Sequence, residues 1–167
     1  MHDRVSNFLA KVKAKHPDCF NNRKVLEIGS FDMNGSPRQL FTNCPFYIGV
    51  DCVEGKGVDL VSLAHDVHFI TGFFDTIIST EVLEHDLHWK KTLKNALRML
   101  KVGGYLILTF ATGNRPKHLA FATQFDGYYK NLTIDEVLKE IQTPYPNVII
   151  LEKETPGNVD AYLMVKK

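Results

Sequence analysis

The stretch from Lys24 to Gly35, KVLEIGSFDMNG, constrains the fold of this chain more than any other. Val25-Leu26-Glu27-Ile28 has the length and apolar character of a short buried strand, and Gly29 opens a tight turn directly behind it. A strand feeding such a turn, with a helical piece beyond, sets backbone N–H groups at the carboxyl edge of a parallel sheet. Nucleotide-like ligands bind at that edge. Glu27 narrows the choice of ligand. A dinucleotide fingerprint offers a pyrophosphate N–H groups and no carboxylate, whereas here an acid stands two residues before the glycine. That charge suits a ligand with a cationic end. The other role for the same residues is an ordinary strand–turn–helix in an α/β core.

The neighbouring segments extend this pattern into a sheet. Val5, Phe8, Leu9 and Val12 share one helical face with lysines opposite, so the chain starts with an amphipathic helix that Pro17 and Asn21-Asn22-Arg23 end. A short helical piece is expected at 37–41. Tyr47–Asp51 is a second strand, again ending in an acid, and Asp51 lies about twenty residues past the first turn, where a doubly wound domain places a ribose-binding carboxylate. Strand three is expected at Val58–Val61, closed by Ala64-His65-Asp66, with a connection too short for a full crossover helix. Strand four is Phe73–Ser79, and Val82–His88 forms the next edge loop. Leu93, Ala96, Leu97 and Leu100 make the core stripe of a helix over Trp89–Leu100, which Gly103-Gly104 stops before strand five at Tyr105–Phe110. A long loop covers 111–131. Thr133 and Glu136 have the spacing of a capping box for a helix to about Gln142, and Val148–Glu152 with Ala161–Lys166 reads as a closing hairpin around Pro156-Gly157-Asn158. The fold predicted is α/β, a Rossmann-like doubly wound, mostly parallel seven-stranded sheet with a C-terminal antiparallel hairpin and helices on both faces. Its ligand belongs outside the carboxyl ends of strands one and four, where the strand order reverses.

Length and composition exclude several classes. At 167 residues one domain spanning 1–167 is expected. A net charge of +1 offers no broad pull toward nucleic acid or an anionic membrane. Cys19, Cys44 and Cys52 are odd in number and lack CxxC spacing, as expected of reduced thiols in a cytoplasmic protein. The N-terminal stretch is too charged for a signal peptide, and no apolar run reaches membrane-spanning length.

Five segments in order, EIGSFDMNGS, YIGVD, GVDLVSLAHDVHF, FDTIISTEVLEH and LKVGGYLILTF, resemble the class I S-adenosylmethionine-dependent methyltransferases. The similarity is greatest to the small type 11 group that also carries GRPxH and YYRNLT, seen here as Asn114-Arg115-Pro116-Lys117-His118 and Tyr128-Tyr129-Lys130-Asn131-Leu132-Thr133. It runs from about Val25 to Thr133. The resemblance implies S-adenosylmethionine as cofactor and S-adenosylhomocysteine as product. Glu27 would face the amino acid end, and Gly29, with Ser30 and Phe31, would let the turn approach closely. Asp51 would accept both ribose hydroxyls, a pairing a carboxylate makes well. Cys52 and Val53 would pack on the adenine, the Ala64 backbone and His65 would meet its edge, and Thr80 and Glu81 would hold the methionine amine. The turn departs from the family in having Phe31 and Met33 where glycines alternate, and Leu63 stands where the family usually has Asp.

Methyl transfer is an in-line displacement, so positioning supplies much of the catalysis and a base is needed only if the acceptor loses a proton. His85 is the candidate base; capping or packing the loop is its alternative role. Arg115, His118, Tyr128 and Tyr129 are the acceptor-binding candidates, the first two for an anionic or hydroxylated group and the tyrosines for a sugar or aromatic ring. Their alternative role is a structural lid. No residue is assigned as a metal ligand, because strand five ends in Phe110-Ala111-Thr112 where divalent-metal enzymes of this fold carry carboxylates. The expected activity is methylation, at oxygen, of a small-molecule or carbohydrate acceptor, with a homodimer completing so small a lid. Two other readings compete. A non-catalytic cofactor- or partner-binding module fits Leu63 and the altered turn. A nucleic-acid methyltransferase is disfavoured by the absence of an Asn/Asp-Pro-Pro-Phe/Tyr motif and of a basic, aromatic-laced stripe.

Overall fold

The computed structural model describes residues 2–118 and 127–167; the middle of the long loop predicted at 111–131 lies outside them. Seven strands form one sheet: β1 (Lys24–Ile28), β2 (Phe46–Asp51), β3 (Leu60–Val61), β4 (Phe74–Thr80), β5 (Leu100–Ala111), β6 (Ile149–Glu154) and β7 (Asp160–Lys166), in the order β3-β2-β1-β4-β5-β7-β6. The first five are parallel, and β7 alone runs the other way, antiparallel to both β5 and β6. The order reverses between β1 and β4, as the sequence predicts.

Alternation along the strands assigns the two faces. Leu26, Ile28, Ile77, Leu106 and Leu108 pack against α2 (Trp89–Met99) and α3 (Ile134–Gln142), whereas Val25, Ile78 and Ile107 pack against α1 (Asp3–Lys15). Glu27 shares the face of Val25 and Asp51 that of Tyr47, so both acids emerge on the α1 side of the sheet. All four apolar residues predicted for α1 are buried. The capping box at Thr133 and Glu136 forms with both of its hydrogen bonds. Among the described residues no helix is long and apolar enough to cross a membrane.

Besides shifts of one or two residues at several strand ends, three departures from the sequence reading have a clear physical cause. β3 keeps only Leu60 and Val61: Val58 N–H closes the preceding turn onto the Gly55 carbonyl, and Asp59 N–H makes a single bond to the Gly49 carbonyl of β2. Ala64–Asp66 is a 3-10 turn rather than a strand end. α2 stops at Met99, with Leu100 already extended and paired to Phe74, so Gly103 and Gly104 fall inside β5 instead of ending the helix. Gly104 fits there because a Cβ would lie 3.0 Å from the Asp75 carbonyl oxygen.

Candidate active site

The turn after β1 is built by its own hydrogen bonds. Gly29 and Ser30 N–H donate to the Val50 carbonyl at 2.8 and 3.1 Å, Phe31 N–H donates to Asp51 Oδ2 at 3.0 Å, and Asp32 N–H donates to the Lys56 carbonyl at 2.8 Å. Four successive N–H groups therefore point into protein, and none is left to cradle a phosphate. Gly29 has φ +77°, and a Cβ there would meet Val82 Cγ2 at 2.1 Å. Its glycine is required by the left-handed backbone and by close packing against the β4 loop.

Behind this turn lies a cavity of about 430 Å³ at the switch between β1 and β4. Of the residues singled out from the sequence, Glu27, Gly29, Ser30, Phe31, Asp51, Val53, Thr80, Glu81, His85, Arg115 and His118 line it. Cys52, Ala64, His65, Tyr128 and Tyr129 are not in its lining. His65 instead packs edge-on against His88, and Tyr129 against His85 and His118. His2, Ser36 and Val82 also line the cavity and were not identified from the sequence. Ser36 precedes Pro37 and caps the 3-10 turn at Pro37–Leu40, a signal that sequence does carry. His2 reaches the site by tertiary packing alone.

Each acid sits in a different environment. Glu27, 2% exposed, accepts hydrogen bonds from Ser36 Oγ at 3.0 Å and Tyr47 Oη at 2.8 Å. Burial raises its carboxyl to about 7, against the pull of those two donors. Asp51 accepts from Phe31 N–H through one oxygen and Val53 N–H, at 3.3 Å, through the other, which leaves lone pairs on both. Glu81 has φ +58° at the end of β4, a costly conformation for a residue other than glycine. Its carboxylate is buried, yet hydrogen bonds and charge from His2, Arg115 and Thr109 hold it well below the usual range. Arg115 links Glu81 Oε2 to the fully buried Asp160 Oδ1, at 2.5 Å to each. The guanidinium offered above to an anionic acceptor is thus held by two internal acids. Glu84 is wholly buried, and burial with the nearby Glu81 charge pushes its carboxyl upward. Burial and then His118 depress the His85 imidazole to about 4, so the ring is neutral at pH 7. Glu84 and Asp86, the two acids flanking His85, are held elsewhere: Glu84 accepts from Ala111 N–H, and Asp86 accepts from His88 N–H and Thr92 Oγ1 at the start of α2.

The floor under the 3-10 turn at Ala64–Asp66 depends on Asn95 of α2. Its amide nitrogen donates to the Ala64, His65 and Val67 carbonyls, and its oxygen accepts from Arg98.

Glu27 makes stability pH-dependent. The folded carboxyl lies near 7 and the reference value is 4.5, so the folded state keeps the proton in between. Stability is then lost as pH rises from about 4.5 through about 7, by up to about 3 kcal/mol. Glu84, whose carboxyl is also raised, adds a fall in the same direction, so in thermal melts without ligand Glu27→Gln should make the fall between pH 5 and pH 8 shallower without abolishing it. An unchanged slope would assign that fall to other groups.

No curated protein sequence matches the chain significantly. Residues 42–108 match the profile of a methyltransferase domain, type 11. The fold is shared with a 1,6-didemethyltoxoflavin-N1-methyltransferase of Burkholderia thailandensis, whose structure contains bound 1,6-didemethyltoxoflavin and S-adenosylhomocysteine. That match has a TM-score of 0.69 at 15% identity, over 95% of this chain and 76% of the other. The [4+2]-cyclase SpnF matches with a TM-score of 0.72 at 13% identity, over 99% and 81%. An S-adenosylmethionine-dependent methyltransferase of Mesorhizobium loti matches with 0.68 at 11% identity, over 95% and 96%. Residues 42–108 thus match a methyltransferase domain, and the chain as a whole has the fold of these structures.

Proposed function

We propose that this protein transfers the methyl group of S-adenosylmethionine to a hydroxyl of a small-molecule or glycan-linked acceptor. The observation that carries the cofactor assignment is the internal bonding of Gly29–Asp32. A turn with no free N–H groups suits a cofactor without phosphates, and carboxylates at Glu27 and Asp51 suit one with an amine and a ribose diol. Glu27 faces the amine end, Asp51 the ribose, and Val53 one side of the adenine. The bound cofactor supplies an activated methyl group; the protein binds, orients and excludes water. His85 Nδ1, buried and without a hydrogen-bond partner among the described residues, is the atom to take a proton from the acceptor. A hydroxyl acceptor must lose its proton on methylation, and the neutral His85 ring can receive it.

The fold by itself does not fix methyl transfer, since a [4+2]-cyclase shares it, and the second reading is a module that binds cofactor or a partner without transferring methyl. Calorimetric titration with S-adenosylmethionine and separately with S-adenosylhomocysteine tests the first. Micromolar binding of both is expected. His85→Ala should lower turnover at least about a hundredfold with cofactor affinity within about twofold of the parent. Absence of binding by the parent protein overturns the cofactor assignment, and loss of binding in His85→Ala makes that residue structural.

A further inference from the structure

His85 and His118 line the same cavity, and with Glu84, fully buried beside them, each brings one ligand-type atom within 4.8 Å of the others. Glu84 Oε2 and His85 Nδ1 are buried and have no hydrogen-bond partner among the described residues. Two such atoms in one place are costly unless something binds them. All three side chains are meanwhile held from behind by the backbone. Ala111 N–H donates to Glu84 Oε1 at 3.1 Å, the Tyr128 backbone hydrogen-bonds His85, and His118 Nδ1 lies 3.3 Å from the Pro116 carbonyl oxygen. A carbonyl on the far nitrogen of an imidazole fixes the tautomer that leaves the near nitrogen with its lone pair, as behind metal-bound histidines.

We propose that Glu84, His85 and His118 form a binding site for one divalent transition-metal cation at the acceptor end of the cavity. Two imidazoles and one carboxylate suit zinc, cobalt, manganese or iron(II), whereas magnesium and calcium take shells of oxygen. Three protein ligands leave positions open for an acceptor oxygen. The sequence reading assigns no metal ligand because strand five ends in Phe110-Ala111-Thr112, and His118 joins Glu84 and His85 only in the fold. The role of the cation rests on the methyl-transfer reading; its binding does not. With the acceptor oxygen as a further ligand, its proton leaves to solvent, the oxygen bonds to the methyl carbon, and the C–S bond breaks with its electron pair going to sulfur. His85 is then a ligand instead of the base.

Tag-free, metal-free protein titrated with Co²⁺, followed by calorimetry and visible absorption, tests the site. One equivalent should bind at micromolar or tighter affinity with a ligand-field band. Glu84→Gln and His118→Ala should each weaken binding at least tenfold, and His68→Ala, an exposed histidine, should not. If Glu84→Gln fails to fold, His118→Ala on the half-buried wall still decides. Absence of saturable Co²⁺ binding, or equal binding in His118→Ala, overturns the proposal. S-adenosylmethionine titrated into the same metal-free protein separates the two readings. Cofactor binding without Co²⁺ binding overturns the metal site alone, and Co²⁺ binding without cofactor binding overturns the function alone.

Discussion

Arg115→Ala is expected to lower the melting midpoint by about 10 °C, corresponding to a loss of about 3 kcal/mol. The guanidinium is shared by Glu81 and Asp160, and Asp160 has no solvent exposure, so its removal leaves buried negative charge under-compensated. Arg4 at 3.0 Å still faces Asp160, and His2 and Thr109 still face Glu81, which keeps the loss near the lower end for a broken buried pair. Both contacts come from the single guanidinium nitrogen Nη1, so Arg115→Lys, which keeps the charge on a shorter side chain, should recover about half. Thermal melts at fixed pH read both variants. A midpoint within about 2 °C of the parent in Arg115→Ala would mean that water or a neighbouring cation compensates the acids, and would free Arg115 for the acceptor role first given to it.

Asp51→Ala is expected to weaken S-adenosylmethionine binding by about 2 kcal/mol or more, roughly thirtyfold, because hydrogen bonds to a charged acceptor are lost. Asp51 also receives the Phe31 and Val53 N–H groups, so part of the effect runs through the shape of the turn. Asp51→Asn keeps one acceptor oxygen and should fall between the two. Calorimetry on the three proteins gives the order. Equal affinities would show that the ribose does not lie at the end of β2.

The sheet was legible because its information is local. Val25–Ile28 and Tyr105–Phe110 announce buried parallel strands by composition, and Thr133 with Glu136 marks a helix start by two hydrogen bonds only three residues apart. Glu27 and Asp51 were legible for the same reason, each ending a recognisable strand. The ion network was not. Asp160 opens β7 and meets Arg115 only because β7 is antiparallel to β5 and starts at the ligand edge, a fact of pairing that no local pattern carries. His2 gives no signal beside Glu81 until α1 docks. The C-terminal end of α2 misled for a different reason: Leu100 has the spacing of the helical stripe, yet its pairing with Phe74 pulls it into the sheet ahead of the glycines.

The bonds around Glu81 also set when the site can exist. His2 comes from 79 residues away, Arg115 from 34, and Asp160 from 45 beyond Arg115. Contacts this distant in sequence form only once α1, β5 and β7 are all in place, so a partly folded chain has no pocket to offer. Ligand occupancy is therefore a reporter of the complete fold. At a hundred times its dissociation constant, a ligand confined to the native state adds about 2.7 kcal/mol to the free energy of unfolding. In a cell, the supply of that ligand would then help decide how long each molecule survives.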